Sequence, residues 1–316
     1  MMFKLLELFA GIGSQRTGLD NIGANYEVIG ISEIDKFALK SYGLLYGDFV
    51  NFGDICNIDP RDLPDFNLMT YSFPCQDISI AGKQRGLDEG TGTRSSLLWE
   101  CMKIIETCLP QYLLMENVKN LVGNRHIENF NKWLEYLESL GYTNYWKVLD
   151  AVDYGAPQTR KRVFCVSIFN SEEFVWPSPL PRTKKIKDIL EDRVPDEMWI
   201  DIDMIPVNNP RESDNGLILV GNLNASNRFD SARRVYSIEG VAPTLNTTSA
   251  DRPKVLINGR VRHLTARECW GLMGFGNEAF DKVKGKVSRT QLYKQAGNSI
   301  CVPCLEAIFK QMEKIC

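Results

Sequence analysis

A single cysteine, Cys75, stands where this chain could present a nucleophile. It lies in the stretch SFPCQ at 72–76, directly after the apolar run 66–71, which predicts a buried strand. Pro74 restricts its own φ and favours an extended residue before it, so the thiol follows a stiff turn at a strand end. Because open α/β sheets bind ligands at the carboxyl ends of their strands, this position indicates catalysis. The alternative is that Cys75 is a small buried hydrophobe.

A carboxylic acid, Glu116, follows the next apolar run, 112–115. The ends of neighbouring parallel strands meet at one edge of a sheet, so Glu116 and Cys75 can share a cleft as an acid and a nucleophile. The alternative role for Glu116 is to cap the helix that follows.

Two arginines, Arg160 and Arg162, enter the apolar run 163–169. In an extended segment they project to the same side as Gln158. Guanidiniums that enter a sheet need an anion or a carbonyl oxygen, because burial of an unpaired charge is costly. We therefore expect either a ligand oxygen at this point or an ion pair with Glu116 or another acid.

A glycine turn opens the chain. The apolar run 4–9 is followed by Gly11 and Gly13, and the pattern then predicts a helix over 15–22. A strand, a glycine turn and a helix are typical of the first unit of a nucleotide-binding α/β fold. The third glycine of the dinucleotide fingerprint is replaced by Arg16, which argues against NAD and leaves a smaller nucleoside ligand open.

Two further acids lie at predicted strand ends. Glu33 follows the second strand, 27–32, and is placed to accept both hydroxyls of a ribose, with an exposed surface glutamate as the alternative. Asp54 follows a possible third strand and could accept from an adenine amine or cap a turn.

The sequence patterns predict that the elements positioning these groups form an α/β sheet and one smaller β-rich region. Phe130, Trp133, Leu134 and Leu137 recur at helical spacing and indicate a core-facing helix over 129–140. Short apolar runs alternate with Asn, Gly, Pro and Ser between 182 and 260, which indicates irregular β structure. Further helices are predicted over 35–46, 95–108 and 302–314, and one is predicted to start at 265–269.

Charge is segregated along the chain. The 316 residues carry a net charge of −3, but residues 226–300 contain 13 Lys and Arg against 6 Asp and Glu. Such a basic segment can face a polyanion. The alternative is a basic surface that contacts only solvent.

The remaining composition is that of an ordinary globular protein. No apolar run reaches the ~20 residues that a membrane span needs. Nine cysteines without a dense pattern indicate reduced thiols and a cytoplasmic protein. Cys301 and Cys304 form a CxxC with no second pair and no nearby histidine, so helix packing is favoured over zinc and we expect no metal.

In their order, these motifs resemble the cytosine-5 DNA methyltransferases of bacteria and phages. The motifs that match are FAGIG at 9–13, FPCQ at 73–76, ENV at 116–118, QTRKR at 158–162, RHLTAREC at 262–269 and GNS at 297–299, and GKQRG at 82–86 fits the mobile active-site loop of the family. The resemblance covers the chain except for roughly 172–220. Ser14 replaces a common glycine, and Ile34 stands where some members place an aromatic residue.

The resemblance implies an enzyme that methylates carbon 5 of a flipped cytosine in duplex DNA. Cys75 would attack carbon 6, Glu116 would bind ring nitrogen 3 and the amine, and Arg162, assisted by Arg160, would bind the cytosine oxygen. The methyl donor would be S-adenosylmethionine, with S-adenosylhomocysteine as the product. Donor-binding residues would be Phe9, Gly11, Ile12, Gly13, Glu33, Ile34, Asp54, Ile55, Pro74, Asn298 and Ser299.

The resemblance also implies a Rossmann-like, mostly parallel catalytic domain at 1–171 plus 295–316, and a smaller irregular β-rich target-recognition domain at 172–294. DNA contacts would come from Gln76, Ser79, Lys83, Gln84, Arg85, Arg228, Arg233, Arg234, Tyr236, Thr247 and Arg252. A cognate restriction endonuclease is a possible partner in the same system, and we expect a monomer.

Two other functions stay open. A tRNA cytosine-5 methyltransferase belongs to the same family, but its Cys-Phe-Thr tripeptide has no counterpart in this sequence. A silent homologue that only binds DNA would lack the cysteine or the glutamate, and both are present.

Overall fold

The computed structural model describes residues 2–73, 96–170, 173–225, 229–247 and 252–315. The chain divides into two compact units. Unit 1 comprises Met1–Leu149, Lys161–Pro177 and Leu305–Cys316, and unit 2 comprises Asp150–Arg160 and Ser178–Cys304. Both units are discontinuous in sequence. These bounds differ from the predicted domains at 150–160, at 172–177 and at 295–304, and the predicted division stays a prediction.

Unit 1 is built on a mostly parallel sheet. Its strands in the described residues are β1 (Phe3–Leu8), β2 (Tyr26–Ser32), β3 (Leu68–Tyr71), β4 (Tyr112–Val118), β5 (Tyr142–Asp150) and β6 (Lys161–Phe169), in the order β2-β1-β3-β4-β6-β5. β1 runs parallel to β2 and β3, β3 runs parallel to β4, and β4 and β6 are antiparallel. The strand order reverses between β1 and β3, which is where doubly wound sheets bind ligands.

Helices accompany this sheet. They are α1 (Ser14–Ile22), α2 (Lys36–Tyr46), α3 (Ser96–Cys108) and α4 (Ile127–Ser139), with α8 (Val302–Met312) closing the chain. α2 starts at Asp35, whose carboxylate accepts the amides of Phe37 and Ala38. A side-chain cap of this kind satisfies amides that have no partner within the helix.

The core of unit 1 lies against the central strands. All four residues of β3 are buried, as expected of a parallel strand that is covered on both faces. Phe130, Trp133, Leu134 and Leu137 of α4 are buried in the same cluster, so their predicted core role is confirmed.

Unit 2 contains a smaller sheet and three helices in its described residues. The strands are β7 (Met204–Pro206), β8 (Leu219–Leu223), β9 (Arg234–Ser237), β10 (Lys254–Ile257) and β11 (Arg260–His263), in the order β11-β10-β9-β8-β7, and the helices are α5 (Ala266–Leu272), α6 (Asn277–Val283) and α7 (Arg289–Asn298). A helix starts at 265–269 as predicted: the Thr265 hydroxyl accepts the amide of Glu268, and the Glu268 carboxylate accepts the amide of Thr265. Cys301 and Cys304 are buried.

The predicted fold class is confirmed, and one element differs. The possible third strand before Gly53 is only an isolated bridge between Ile31 and Asn51, followed by a short 3-10 helix at Ile55–Asn57. Gly53, two residues after the bridge, adopts a left-handed conformation with a φ of 76°, so the extended ladder ends there.

Candidate functional site

The end of β3 lies beside the part of β4 that carries Glu116. Tyr71, the last residue of β3, pairs with Met115 of β4 in parallel register, so Ser72 follows next to Glu116. The Nδ2 of Asn117 donates to the carbonyl oxygen of Phe73 at 2.8 Å, and the Phe73 ring is buried in the core. The backbone directly before the thiol segment is therefore anchored.

Glu116 stands at this edge with donors on both carboxylate oxygens. Its Oε1 lies 3.2 Å from Nε of Arg162, and its Oε2 accepts from the Ser72 hydroxyl at 3.2 Å. The residue is 8% exposed. Nη1 of Arg162 also donates to the carbonyl of Lys161 at 2.9 Å. The predicted Glu116–Arg162 ion pair is present, and helix capping by Glu116 is not among its described contacts.

Several predicted site residues lie outside the described residues. These are Pro74, Cys75, Gln76, Ser79, Lys83, Gln84, Arg85 and Arg228.

The glycine turn after β1 has a backbone conformation that ordinary residues avoid. Phe9, Gly11 and Gly13 have φ values of 55°, 58° and 80°. A left-handed conformation is strained for a bulky residue such as Phe9, and strain of this kind concentrates at functional sites. A Cβ added to Gly11 would meet no atom within 4 Å, so this face of the turn is open.

Glu33 ties the glycine turn to the end of β2. Its Oε2 accepts the amide of Gly11 at 2.8 Å, and its Oε1 accepts the amides of Ile34 and Asp35 at 2.8 and 2.7 Å. Asn51 brackets the backbone of Glu33 with two hydrogen bonds of 3.2 Å. The carboxylate is thus held in one orientation beside the turn.

The other predicted donor-binding residues of unit 1 differ in exposure. Ile34 is 72% exposed, whereas Ile12 and Ile55 are buried. Asp54 caps the short helix after it, with Oδ1 accepting the amide of Cys56 at 3.0 Å. Turn capping, the alternative role for Asp54, is therefore observed, and its contact with a nucleoside stays a prediction.

A buried polar cluster lies beneath the turn. The Tyr42 hydroxyl donates to Oε2 of Glu7 at 2.6 Å, and the Tyr46 hydroxyl donates to the carbonyl of Gly13 at 2.7 Å. The guanidinium of Arg16 lies 4.4 Å from the Tyr46 ring centroid. Burial raises the pKa of Glu7 to about 7, against the lowering effects of Tyr42 and Arg16.

Arg160 has a different environment from Arg162. It is 3% exposed, and its guanidinium donates to three backbone carbonyls of unit 2: Leu245 at 3.1 Å, Gly297 at 2.8 Å and Ser299 at 3.0 Å. Gln158 accepts the amide of Leu245 at 2.8 Å, so both side chains face the same segment. Carbonyl oxygens, one of the two predicted partners, therefore receive Arg160, and its assistance to catalysis stays a prediction.

The GNS motif at 297–299 lies at the end of α7, where Arg160 donates to the carbonyls of Gly297 and Ser299. A Cβ on Gly297 would lie 2.5 Å from the carbonyl oxygen of Asn246, so only glycine fits this close approach. Asn298 is exposed, and the buried Ser299 donates its hydroxyl to Gln295 at 2.7 Å.

The predicted DNA contacts in unit 2 are partly accessible. Arg233 and Arg234 pair with Asp230 at 3.4 and 2.7 Å on the surface, and Arg252 lies over the Tyr293 ring. Tyr236 is only 7% exposed, whereas Thr247 is exposed. Exposed ion pairs contribute little stability, so the two arginines can exchange Asp230 for a phosphate.

Three residues stand out that the motif matches did not assign. Ser72 and Asn117 fix the ends of β3 and β4, and Phe229 is 88% exposed beside Asp230. A serine directly after a buried strand was a usable signal for Ser72. Nothing in the sequence indicated the partner of Asn117, because that contact depends on the strand register.

No group of His, Cys, Asp and Glu in the described part of the chain could hold a metal ion. Among the same residues, no helix is long and apolar enough to cross a membrane.

Comparison with known proteins agrees with the geometry. The family model described as "C-5 cytosine-specific DNA methylase" matches residues 3–314. The Type II methyltransferase M2.ScrFI of Lactococcus lactis subsp. cremoris is 41% identical over 99% of both chains. The Type II methyltransferase M.SsoII of Shigella sonnei is 35% identical over 98% of this chain and 80% of its own length.

A solved structure shares the fold. The Entamoeba histolytica methyltransferase EhMeth superposes with a TM-score of 0.77 at 16% identity, covering 100% of this chain and 99% of that one. Since the family match spans nearly the whole chain and the full-length relatives exceed 30% identity, this chain belongs to the C-5 cytosine-specific DNA methylases and is a DNA (cytosine-5-)-methyltransferase.

Proposed function

We propose that this methyltransferase transfers the methyl group of S-adenosylmethionine to a flipped cytosine within one short duplex sequence. The observation that carries the proposal is the Glu116 carboxylate, buried at the strand edge between Arg162 and Ser72. An acid and a guanidinium held together can read the nitrogen and oxygen edge of one pyrimidine. The base must leave the stack, because its reactive carbons are unreachable within a duplex.

Covalent addition makes the reaction possible. Carbon 5 of cytosine is a poor nucleophile, so the Cys75 thiolate first bonds to carbon 6, and ring nitrogen 3 takes a proton from Glu116. The electron pairs shift to leave a carbon 4–carbon 5 double bond, whose carbon 5 can attack the methyl group. The donor leaves as S-adenosylhomocysteine and water takes the carbon 5 proton. Nitrogen 3 returns its proton to Glu116 as the thiolate is expelled, so one hard step is divided into easier ones.

Arg162 can bind the cytosine as well as Glu116. Its Nε holds Glu116, and the guanidinium fork has further N–H groups that can donate to the cytosine oxygen. A nearby guanidinium also favours the thiolate form of a cysteine.

The residues of the glycine turn fit the donor. The open face at Gly11 admits a nucleoside against the backbone, the fixed Glu33 carboxylate keeps a lone pair on Oε2 for a ribose hydroxyl, and exposed Ile34 offers an apolar surface to adenine. Bound there, S-adenosylmethionine supplies a methyl group on a sulfonium. Asn298 and Ser299 would complete the contacts, and Phe9, Asp54 and Pro74 keep their predicted roles.

The wider setting is also part of the proposal. The names of the relatives as Type II methyltransferases support a restriction-modification context, with a cognate endonuclease as partner. Residues 172–294 would recognise the target, and 1–171 plus 295–316 would carry catalysis. We further propose a monomer that acts in the cytoplasm.

Covalent trapping tests the proposal. A duplex carrying 5-fluorocytosine at the target cannot lose a proton from carbon 5, so wild type with S-adenosylmethionine should form a denaturation-stable adduct. Cys75→Ser should form none and still bind the donor, and the matched control Cys108→Ser should trap like wild type. Methyl transfer to tRNA but not to duplex DNA would support the alternative substrate, and an adduct with Cys75→Ser would overturn the assignment of the nucleophile.

A further inference from the structure

The Ser72 hydroxyl is a second partner of the Glu116 carboxylate. Its Oγ lies 3.2 Å from Oε2, while Nε of Arg162 lies 3.2 Å from Oε1. Each oxygen of the carboxylate thus has its own partner, one neutral and one charged.

The strand register fixes Ser72 in this place. Tyr71, the last residue of β3, pairs with Met115 of β4, so Ser72 and Glu116, the next residue on each chain, lie side by side. One position further along, Asn117 holds the Phe73 carbonyl at 2.8 Å and the core holds the Phe73 ring. Ser72 therefore lies between two anchored residues, and its hydroxyl has little freedom to leave Oε2.

The two partners differ in what they can do when Glu116 is protonated. An arginine can only donate, so Oε1 must remain an acceptor. The proton of the neutral acid therefore belongs on Oε2. A hydroxyl both donates and accepts, so Ser72 can stay bonded to Oε2 whether or not that oxygen carries the proton.

We propose that Ser72 is a positioning residue for Glu116, and that it selects Oε2 as the oxygen that delivers the proton to ring nitrogen 3. This inference rests on the proposed function. As the sulfur–carbon 6 bond forms, nitrogen 3 takes the proton from Oε2 and Ser72 donates to the carboxylate that remains. On elimination the proton returns to Oε2, so the enzyme ends in its starting state.

Kinetics of Ser72 variants test this role. Ser72→Ala should lower kcat about tenfold, the effect of one lost hydrogen bond at a charged group, with KM for S-adenosylmethionine within about twofold of wild type. The alkaline limb of the pH–rate profile, which reports loss of the Glu116 proton, should move to higher pH, because the ionised carboxylate loses a donor. Ser72→Thr keeps the hydroxyl and should restore both. Ser139→Ala, which removes an exposed hydroxyl on α4, is the control.

A double-mutant cycle separates positioning from folding. In single-turnover assays, Ser72→Ala should have no further effect in a Glu116→Gln background, because the partner of the hydroxyl is already altered. An unchanged kcat and pH profile in Ser72→Ala would overturn the proposal. So would an equal loss in both backgrounds, or loss of donor binding in Ser72→Ala.

The two hypotheses can fail separately. If wild type makes no adduct with 5-fluorocytosine DNA, the proposed function fails. If wild type traps normally and Ser72→Ala traps at the same rate, only the role of Ser72 fails.

Discussion

At the scale of single residues, the site depends on buried polar groups that each have a specific partner. Glu116 is held by Arg162 and Ser72, and Arg160 is held by three carbonyls. Removal of one partner of such a group leaves the other buried without compensation, which is why these positions tolerate little change.

Glu7 gives a prediction about pH and stability. Burial raises its pKa from an ordinary value of 4.5 to about 7, so the folded state binds an extra proton between these values. The free energy of unfolding should therefore fall as pH rises through this window, by on the order of 3 kcal/mol. Glu7→Gln should remove this loss and be more stable than wild type at pH 8.

Urea unfolding at pH 5, 6, 7 and 8 measures the effect as the difference between variant and wild type. Glu27→Gln, on the exposed part of β2, is the control and should follow wild type. A constant difference between Glu7→Gln and wild type across this range would contradict the raised pKa.

Arg160 gives a second prediction, because a lysine cannot reach three carbonyls at once. Arg160→Lys should lower the free energy of unfolding by about 2 kcal/mol, and under the proposed donor-binding role of Asn298 and Ser299 it should also weaken donor binding. Thermal unfolding and donor titration measure these changes, with the exposed Arg193→Lys as control. A variant that keeps its stability and donor affinity but loses kcat would instead place Arg160 at the substrate.

The sequence predicted the identity of these residues better than their contacts. Residue type and strand position were enough to select Glu116 and the arginines. The carbonyl clamp around Arg160 could not be predicted, since Leu245 and Gly297 are distant in sequence and meet it only in the folded unit. The aim of the Ser72 hydroxyl depends in the same way on the register of β3 and β4.

At the scale of elements, strand ends and the turns after them carry the site. Glycine is required where backbone and neighbouring rings approach closely. A Cβ on Gly13 would lie 2.6 Å from Tyr46 and 2.8 Å from Tyr42, at a φ of 80°.

Gly13→Ala should therefore destabilise the protein by about 2–4 kcal/mol, from the left-handed conformation and the overpacking together. It should also weaken donor binding, because the turn must shift. Gly23 ends the same helix at a φ of 68°, and a Cβ added there would meet no atom within 4 Å. Gly23→Ala should therefore lower the free energy of unfolding by only about 1 kcal/mol. Denaturant unfolding of both variants tests this, and equal losses would show that the tyrosine contacts do not matter.

Elements with continuous apolar runs were predictable, and mixed ones were not. β3 is buried throughout and β4 is buried as far as Asn117, and the apolar parts of both strands follow from their sequence. β5 starts at Tyr142 and lies at the edge of the sheet, where its half-exposed, mixed polar and apolar residues give no continuous apolar run to predict it from. The expected third strand is reduced to one bridge, between Ile31 and Asn51, because only this pair of described residues meets the sheet edge.

At the scale of the whole molecule, charge is divided between an acidic first half and a basic segment at 226–300. Phosphate contacts release counterions, so each one contributes to the salt dependence of DNA binding. Arg233→Gln and Arg234→Gln should each reduce the slope of log affinity against log salt by about 1. Arg61→Gln removes an exposed arginine from the acidic half and is the control. Unchanged slopes in both variants would show that these arginines do not contact DNA phosphates.

The most direct test of the account is the identity of the methylated nucleoside. Duplex DNA containing the target should be incubated with the enzyme and S-adenosylmethionine, digested to nucleosides and analysed by mass spectrometry. Wild type should yield 5-methyl-2′-deoxycytidine, and Cys75→Ser should yield none. A methyl group on the cytosine amine or on adenine would contradict it.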